Sequence, residues 1–376
     1  SLDYQNKYQQ VKSLYSTSIS GSSFKINFGD FYPTLNKFSL SGSKVNGLGL
    51  NFKTNYLAFN VVSGTLLNAN EGDPLESMVL LAEDVTDSTI TIKRSNYTFK
   101  RAVKGFNFLL KYKEAMNLSF NFIKVIDDIN SISIKNKNAL ISLPENLTIV
   151  DNSYNITDSI MTVLEFSKIY NELYDIDSLV FAEDYWDGQT PMDNIVFGAS
   201  LNFNADSKKF NFYLDWALSL LNQNIWDPVL TSVMLDTLGE GGSGDDPEID
   251  GMMMGQELPE NLDFTEFKKI FHFGLSQVPL VPLDLSDGSS GLSIVSKIVN
   301  MPSLAYNFGF NLNYLSQKIK IQYKQIGPQF NSLANPFIKK NVKEWSFENR
   351  FRALENKLFF NIKSSFSNDG FSEIDK

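Results

Sequence analysis

Residues 303–314 alternate without a miss: Leu304, Tyr306, Phe308, Phe310, Leu312 and Tyr314 stand against Ser303, Ala305, Asn307, Gly309, Asn311 and Asn313. Side chains of a strand point to opposite faces with a period of two, while a helix brings every third or fourth residue to one side. The stretch is therefore a strand with one wholly apolar face and one small, polar face. Burying each of those apolar side chains is worth roughly 1.5–3 kcal/mol, so they cannot be left in water. They must meet a second sheet, as in a soluble sandwich, or lipid. Length separates the two, because soluble strands cluster around five or six residues and a tilted membrane strand needs about 9–11. From Leu304 to Tyr314 the rise is about 33 Å at ~3.3 Å per residue. At a tilt of about 40° that length spans the roughly 25 Å apolar band of an outer-membrane barrel.

The same pattern recurs in hairpin pairs. Ile319, Ile321 and Tyr323 return this strand after a short connection at 315–318. Ile195, Phe197, Leu201 and Phe203 turn at Ala205-Asp206-Ser207-Lys208 into Phe210, Phe212, Leu214, Trp216, Leu218 and Leu220. Phe106, Phe108, Leu110 and Tyr112 turn at Glu114-Ala115-Met116 into Leu118, Phe120 and Phe122. Leu48, Leu50 and Phe52 turn at Thr54-Asn55 into Leu57, Phe59 and Val61. Trp345, Phe347 and Phe351 turn around Glu355-Asn356-Lys357 into Leu358, Phe360, Ile362 and Phe366. These turns are short, whereas the links at 63–88, 126–193 and 222–267 are long, the asymmetry of a barrel whose short turns are periplasmic. Tyr314, Trp345 and Phe366, at the ends of apolar runs, fit interfacial aromatic girdles.

The 31 Phe and 15 Tyr supply this pattern, and other features remove whole function classes. A net charge of −10 without a basic stripe argues against nucleic acid. The absence of cysteine excludes disulfide scaffolds, thiolate zinc sites and cysteine nucleophiles, and the single histidine, His272, excludes a His-rich metal site. No apolar run approaches the ~18 residues of a transmembrane helix. No nucleophile elbow, phosphate loop or dinucleotide fingerprint is present, so neither an enzyme nor a cofactor is expected.

The reading for residues 1–376 is one all-β region: an antiparallel up-and-down transmembrane β-barrel with long loop insertions at about 151–190 and 233–265. Ile160, Val163, Leu164, Ser167, Tyr170, Leu173 and Tyr174 fall at helical spacing and predict one short helix that folds over the barrel mouth, folds into the lumen or, the simplest account, packs on the loops. Roughly a dozen strands lie between Phe24 and Phe366 with no closing signal at either end, so a partial barrel cut from a longer chain is expected.

Two segments carry a resemblance. Gly29-Asp30-Phe31-Tyr32-Pro33 followed by residues 40–47 is one; residues 323–337, running on into 347–352 and 356–360, is the other. They are similar to large, mostly uncharacterised outer-membrane β-barrel proteins of the Bacteroidota and Ignavibacteria lineages. The resemblance covers most of the strand regions and implies a barrel fold and an outer-membrane address. It brings no catalytic residues. The insertions near 151–190 and 233–265 depart from the pattern, as does the lack of a terminal aromatic strand.

Lys320, Lys324, Glu348, Arg350, Arg352 and Lys363 alternate with apolar residues and are expected to line a lumen, where they could set a field across a pore or brace the wall by cross-strand pairing. His272, between Phe271 and Phe273, is expected on that same face. Asp245, Asp246, Glu248 and Asp250 follow a glycine-rich stretch and could supply hard oxygen ligands to calcium, although their spacing is not that of an EF-hand and a solvated loop is the simpler account. The adjoining Met252-Met253-Met254 lacks supporting His or Cys ligands for a soft metal.

The expected function is a pore or transporter for hydrophilic solutes in the cell outer membrane, its partner the lipid bilayer. A structural or assembly barrel with envelope protein partners is the alternative, and a soluble extracellular β-sheet binding protein a second one.

Overall fold

The computed structural model describes residues 12–19, 22–70, 78–81, 90–93, 96–132, 140–142, 160–162, 190–231, 234, 252–253, 256–257, 264–279, 301–314, 317–353 and 357–370. The chain is all-β. Its first half supplies strands β1 (Lys12–Ile19), β2 (Ser22–Phe31), β3 (Val45–Lys53), β4 (Leu57–Leu67), β5 (Lys100–Tyr112) and β6 (Met116–Asp128). The second half supplies β7 (Asp193–Ala205), β8 (Phe210–Asn222), β9 (Leu304–Tyr314), β10 (Gln317–Ile326), β11 (Val342–Ala353) and β12 (Leu358–Asp369). They lie side by side in chain order, and Gln277–Val278 adds a short strand to the end of β8. Each hairpin read from the sequence is present. Sequential antiparallel pairing is what short turns allow, since a parallel partner would need a long crossover.

The sheet is open and does not close into a barrel. Closure requires the first and last strands to exchange ladder hydrogen bonds. Here β1 bonds β2 and β12 bonds β11, and each leaves its other edge without a strand among the described residues.

Register decides the faces. Leu118, Leu201, Leu214, Phe308, Tyr323, Trp345 and Phe366 are directly opposed from β6 to β12, one apolar row across seven strands. Rings touch along it: Phe308 and Tyr323 centroids are 5.5 Å apart, and Tyr323 and Trp345 4.5 Å. One residue along, Asn202, Tyr213, Gly309, Gln322, Ser346 and Ser365 form the matching row on the other face. Much of the apolar face is uncovered: Phe28 is 60% exposed, Phe120 47%, Trp345 51% and Phe366 75%.

The two ends of the polar face differ. At the end with the long loops its positions become apolar, with Val62, Val103, Ile123, Val125, Val196, Ala217, Ala305 and Ile326 buried. Two connections fold onto them, residues 32–44 between β2 and β3 and residues 327–341 between β10 and β11. Leu35, Phe38 and Leu40 from the first and Phe330 and Ala334 from the second complete one core cluster. At the end with the short turns the same face carries Asn, Lys and Arg.

A second compact unit, Leu67–Arg101 with Asp127–Pro191, holds a smaller sheet of Met78–Leu81, Ile90–Lys93, Leu140–Ser142 and Ile160–Thr162. Arg101 and Asp127 form an ion pair within it at 2.7 Å. The predicted helix is corrected at its start. Ile160, Met161 and Thr162 pair antiparallel with 140–142, and β-branched residues with available edge partners favour that over a helical turn. The rest of that segment lies outside the described residues.

Candidate functional site

The polar face of the large sheet gathers most of the residues with chemistry, because the alternation sends most charges in strand interiors, Lys104 and Lys124 apart, to the side opposite the apolar rows. An amide ladder runs through its middle. Asn311 donates to Asn211 at 2.7 Å, and Asn211 donates to Asn202 at 3.1 Å and to Asn204 at 2.9 Å. Gln322 donates to Asn307 at 2.7 Å, while Asn51 donates to Asn60 across β3 and β4. Such ladders satisfy buried amides that would otherwise cost free energy.

Aromatic rings on this face lie over glycines of neighbouring strands. A Cβ on Gly309 would come within 2.5 Å of the Tyr213 hydroxyl and 2.6 Å of the Ile321 carbonyl oxygen. A Cβ on Gly49 would meet the Phe31 ring at 2.7 Å. Only glycine leaves room for these rings at such close approach.

At the turn end, Lys318, Lys320, Glu348 and Arg350 join Asn211, Asn311 and Asn313 around a cavity of about 400 Å³. The structure thus brings Lys320, Glu348 and Arg350 together around one cavity. Arg350 donates to Glu348, and Lys324 lies 3.9 Å from Glu344. Lys363 is opposite Glu348, and Arg352 opposite Phe359, on the same face.

His272 does not line this face. It belongs to no strand, sitting buried after a short 3₁₀ helix, Phe264–Lys269. Its backbone N–H donates to Asp193 at 3.0 Å, and its ring Nε2 is 2.8 Å from the Asp227 carbonyl oxygen. Asp193 also accepts from Lys124 at 2.9 Å. The flanking Phe271 and Phe273 pack on Ile195, Leu220 and Phe122, which are apolar-face residues at the loop end. The Phe-His-Phe alternation was a local coincidence; tertiary packing holds it as loop. Asp245, Asp246, Glu248 and Asp250 lie outside the described residues. Met252 and Met253 form a two-residue pairing with Gln256 and Glu257.

Sequence reasoning missed the connections that fold over the polar face. Asn36 Nδ2 donates to the Ser200 hydroxyl at 2.9 Å and Asn107 to the Leu35 carbonyl at 3.3 Å. Lys37 pairs with Asp215 at 2.5 Å. Burial pushes the Lys37 ammonium below the ordinary lysine value, against the opposing pull of Asp215, and nearby Lys324 and Lys320 act in the same direction as burial. The two connections also hold each other: Ser332 donates to the Ser39 carbonyl at 2.5 Å, Asn335 to the Lys37 carbonyl at 2.8 Å, and Phe38 meets Phe330 edge-on at 6.2 Å. Asn194 ties the second connection to β7, accepting from the Leu333 N–H at 2.9 Å. The signal was present as Leu35, Phe38, Leu40 and Phe330, apolar residues inside stretches otherwise punctuated by Pro, Gly and Asn.

Compared with models of known protein families and with curated proteins, the chain matches none.

Proposed function

We propose that the large sheet is the membrane-spanning wall of an outer-membrane β-barrel that handles hydrophilic solutes along its polar face. The carrying observation is the uncovered apolar face. Soluble monomers rarely leave a contiguous apolar patch beyond a few hundred Å². Here exposed aromatic and aliphatic side chains recur on almost every strand from β2 to β12. Strands β5 to β8, of 13 residues each, exceed the roughly 9–11 a tilted membrane strand needs. The connections 32–44 and 327–341 act as a gate at the loop end, where they lay a dry cluster on the polar face.

The filled loop end also favours a second reading, a structural or assembly barrel whose interior is permanently braced. Reconstitution into liposomes separates the two. The protein should float with lipid, and wild type should pass little neutral sugar. Loosening the gate with Phe38→Ala and Phe330→Ala should raise the flux under the transport reading. Flux absent in both forms supports the braced barrel. A monodisperse protein without detergent or lipid would overturn the membrane assignment altogether.

A further inference from the structure

We infer that the turn-end half of the polar face is a site for anionic hydrophilic solutes bearing carboxylate or phosphate groups, an inference that rests on the proposed solute-handling role of that face. The whole chain is acidic, with 43 Asp and Glu against 33 Lys and Arg. A face that drew its charges at random would follow that excess. Instead, the polar-face positions of β10 to β12 carry Lys318, Lys320, Lys324, Arg350, Arg352 and Lys363 against Glu344, Glu348 and Asp369, the last at the loop end and paired with Lys339.

The acids do not neutralise this set. Glu348 accepts from Arg350 and Glu344 faces Lys324. Among the described residues no carboxylate comes within 4.0 Å of Lys318, Lys320, Arg352 or Lys363. The field extends beyond these strands. Lys320 and Lys324 act on Lys37 in the connection above them, in the same direction as its burial.

Cations of one sign crowded on one face repel, and low-dielectric walls focus their potential into the space they share. Rings of Lys and Arg are how pores favour anions. The cavity of about 400 Å³ has the size of a small-molecule site. It offers ammonium donors from Lys318 and Lys320, guanidinium donors from Arg350 and amide groups from Asn211, Asn311 and Asn313. That donor set fits carboxylate or phosphate oxygens and the hydroxyls beside them.

Inorganic phosphate is the probe, followed by ³¹P line broadening with the protein in lipid nanodiscs. Wild type should broaden the line saturably and Lys318→Glu/Lys320→Glu should abolish this, while Lys268→Glu on the 3₁₀ helix should behave as wild type. No saturable broadening, or broadening unchanged in the double variant, overturns the inference. A proteoliposome arm separates its failure from that of the transport reading, comparing a sugar acid with the neutral sugar of the same size. Faster passage of the acid, reversed in the double variant, supports the site. Faster passage of the neutral sugar overturns it with transport intact. Passage of neither, from wild type or from the gate-loosened form, overturns transport and leaves the phosphate arm to decide anion binding.

Discussion

Phe308→Arg tests the membrane assignment at its centre. Phe308 lies about 13 Å along β9 from Leu304 and about 20 Å from Tyr314 at ~3.3 Å per residue, so it sits within about 3 Å of the strand's middle. If the apolar face meets hydrocarbon, an Arg there stands near the bilayer midplane and costs about 2–4 kcal/mol. It also removes ring contacts with Tyr323 and Trp345 at 5.5 and 6.5 Å, and aromatic pairs of this kind contribute about 0.5–1.5 kcal/mol each. The matched control is Asn311→Glu, which puts a charge on the other face, directly opposite Lys320. It loses the hydrogen bond to Asn211, worth about 1 kcal/mol, and gains a cationic neighbour. Asn307 would be a poor control: it is 1% exposed and bonded to Gln322 and Asp215. Urea unfolding in liposomes, read by heat-modifiable gel mobility, should place Phe308→Arg well below wild type and Asn311→Glu close to it. In a sheet whose exposed face meets water, Phe308→Arg would lose only the ring contacts, about 1–3 kcal/mol, without the bilayer cost. Equal midpoints for the two variants would refute the membrane reading.

Phe330 is fully buried in the core cluster built by the two connections, so Phe330→Ala should lower stability by about 3–5 kcal/mol in the same unfolding assay. Because burial holds Lys37 below its ordinary value of 10.5, the unfolded chain binds the extra proton between the folded value and 10.5. The contribution of this group to stability therefore rises with pH across that window, and Lys37→Met should flatten the slope of urea midpoint against pH there. Gly309→Ala should destabilise by about 1–3 kcal/mol through overpacking, and adding Tyr213→Ala should not restore it, since the Ile321 carbonyl oxygen is also only 2.6 Å from the new Cβ. The chain has no cysteine, so single cysteines report topology cleanly: Asn55→Cys and Asp206→Cys at the short turns should resist a membrane-impermeant label on intact cells, while Lys339→Cys at the loop end should react.

The strands and their two faces were legible in the sequence because a period of two is a local property. Phe308 and Asn307 point to opposite sides whatever the rest of the chain does. The short turns were legible for the same reason, and they fix antiparallel neighbours in chain order. The charged positions on β10 and β11 followed from the same alternation, which is why Lys320, Glu348 and Arg350 could be named before their shared cavity was seen.

What tertiary structure decided involves partners distant in sequence. Two connections, one near each end of the sequence, fold over the polar face and grip each other, Phe38 on Phe330 and Ser39 to Ser332. No spacing rule connects residues so far apart in the chain. His272 shows the converse: its neighbours alternate like a strand, yet Asp193 and Asp227 hold it in a loop, because a three-residue pattern is too weak to outweigh two hydrogen bonds and the burial of Phe271. Alternation dictated that this chain has a wet face and a greasy face. Only long-range packing determined that half of the wet face is dry, since burying Phe38, Leu40 and Phe330 against Val196 and Ala217 requires two loops from opposite ends of the sequence to arrive at the same place.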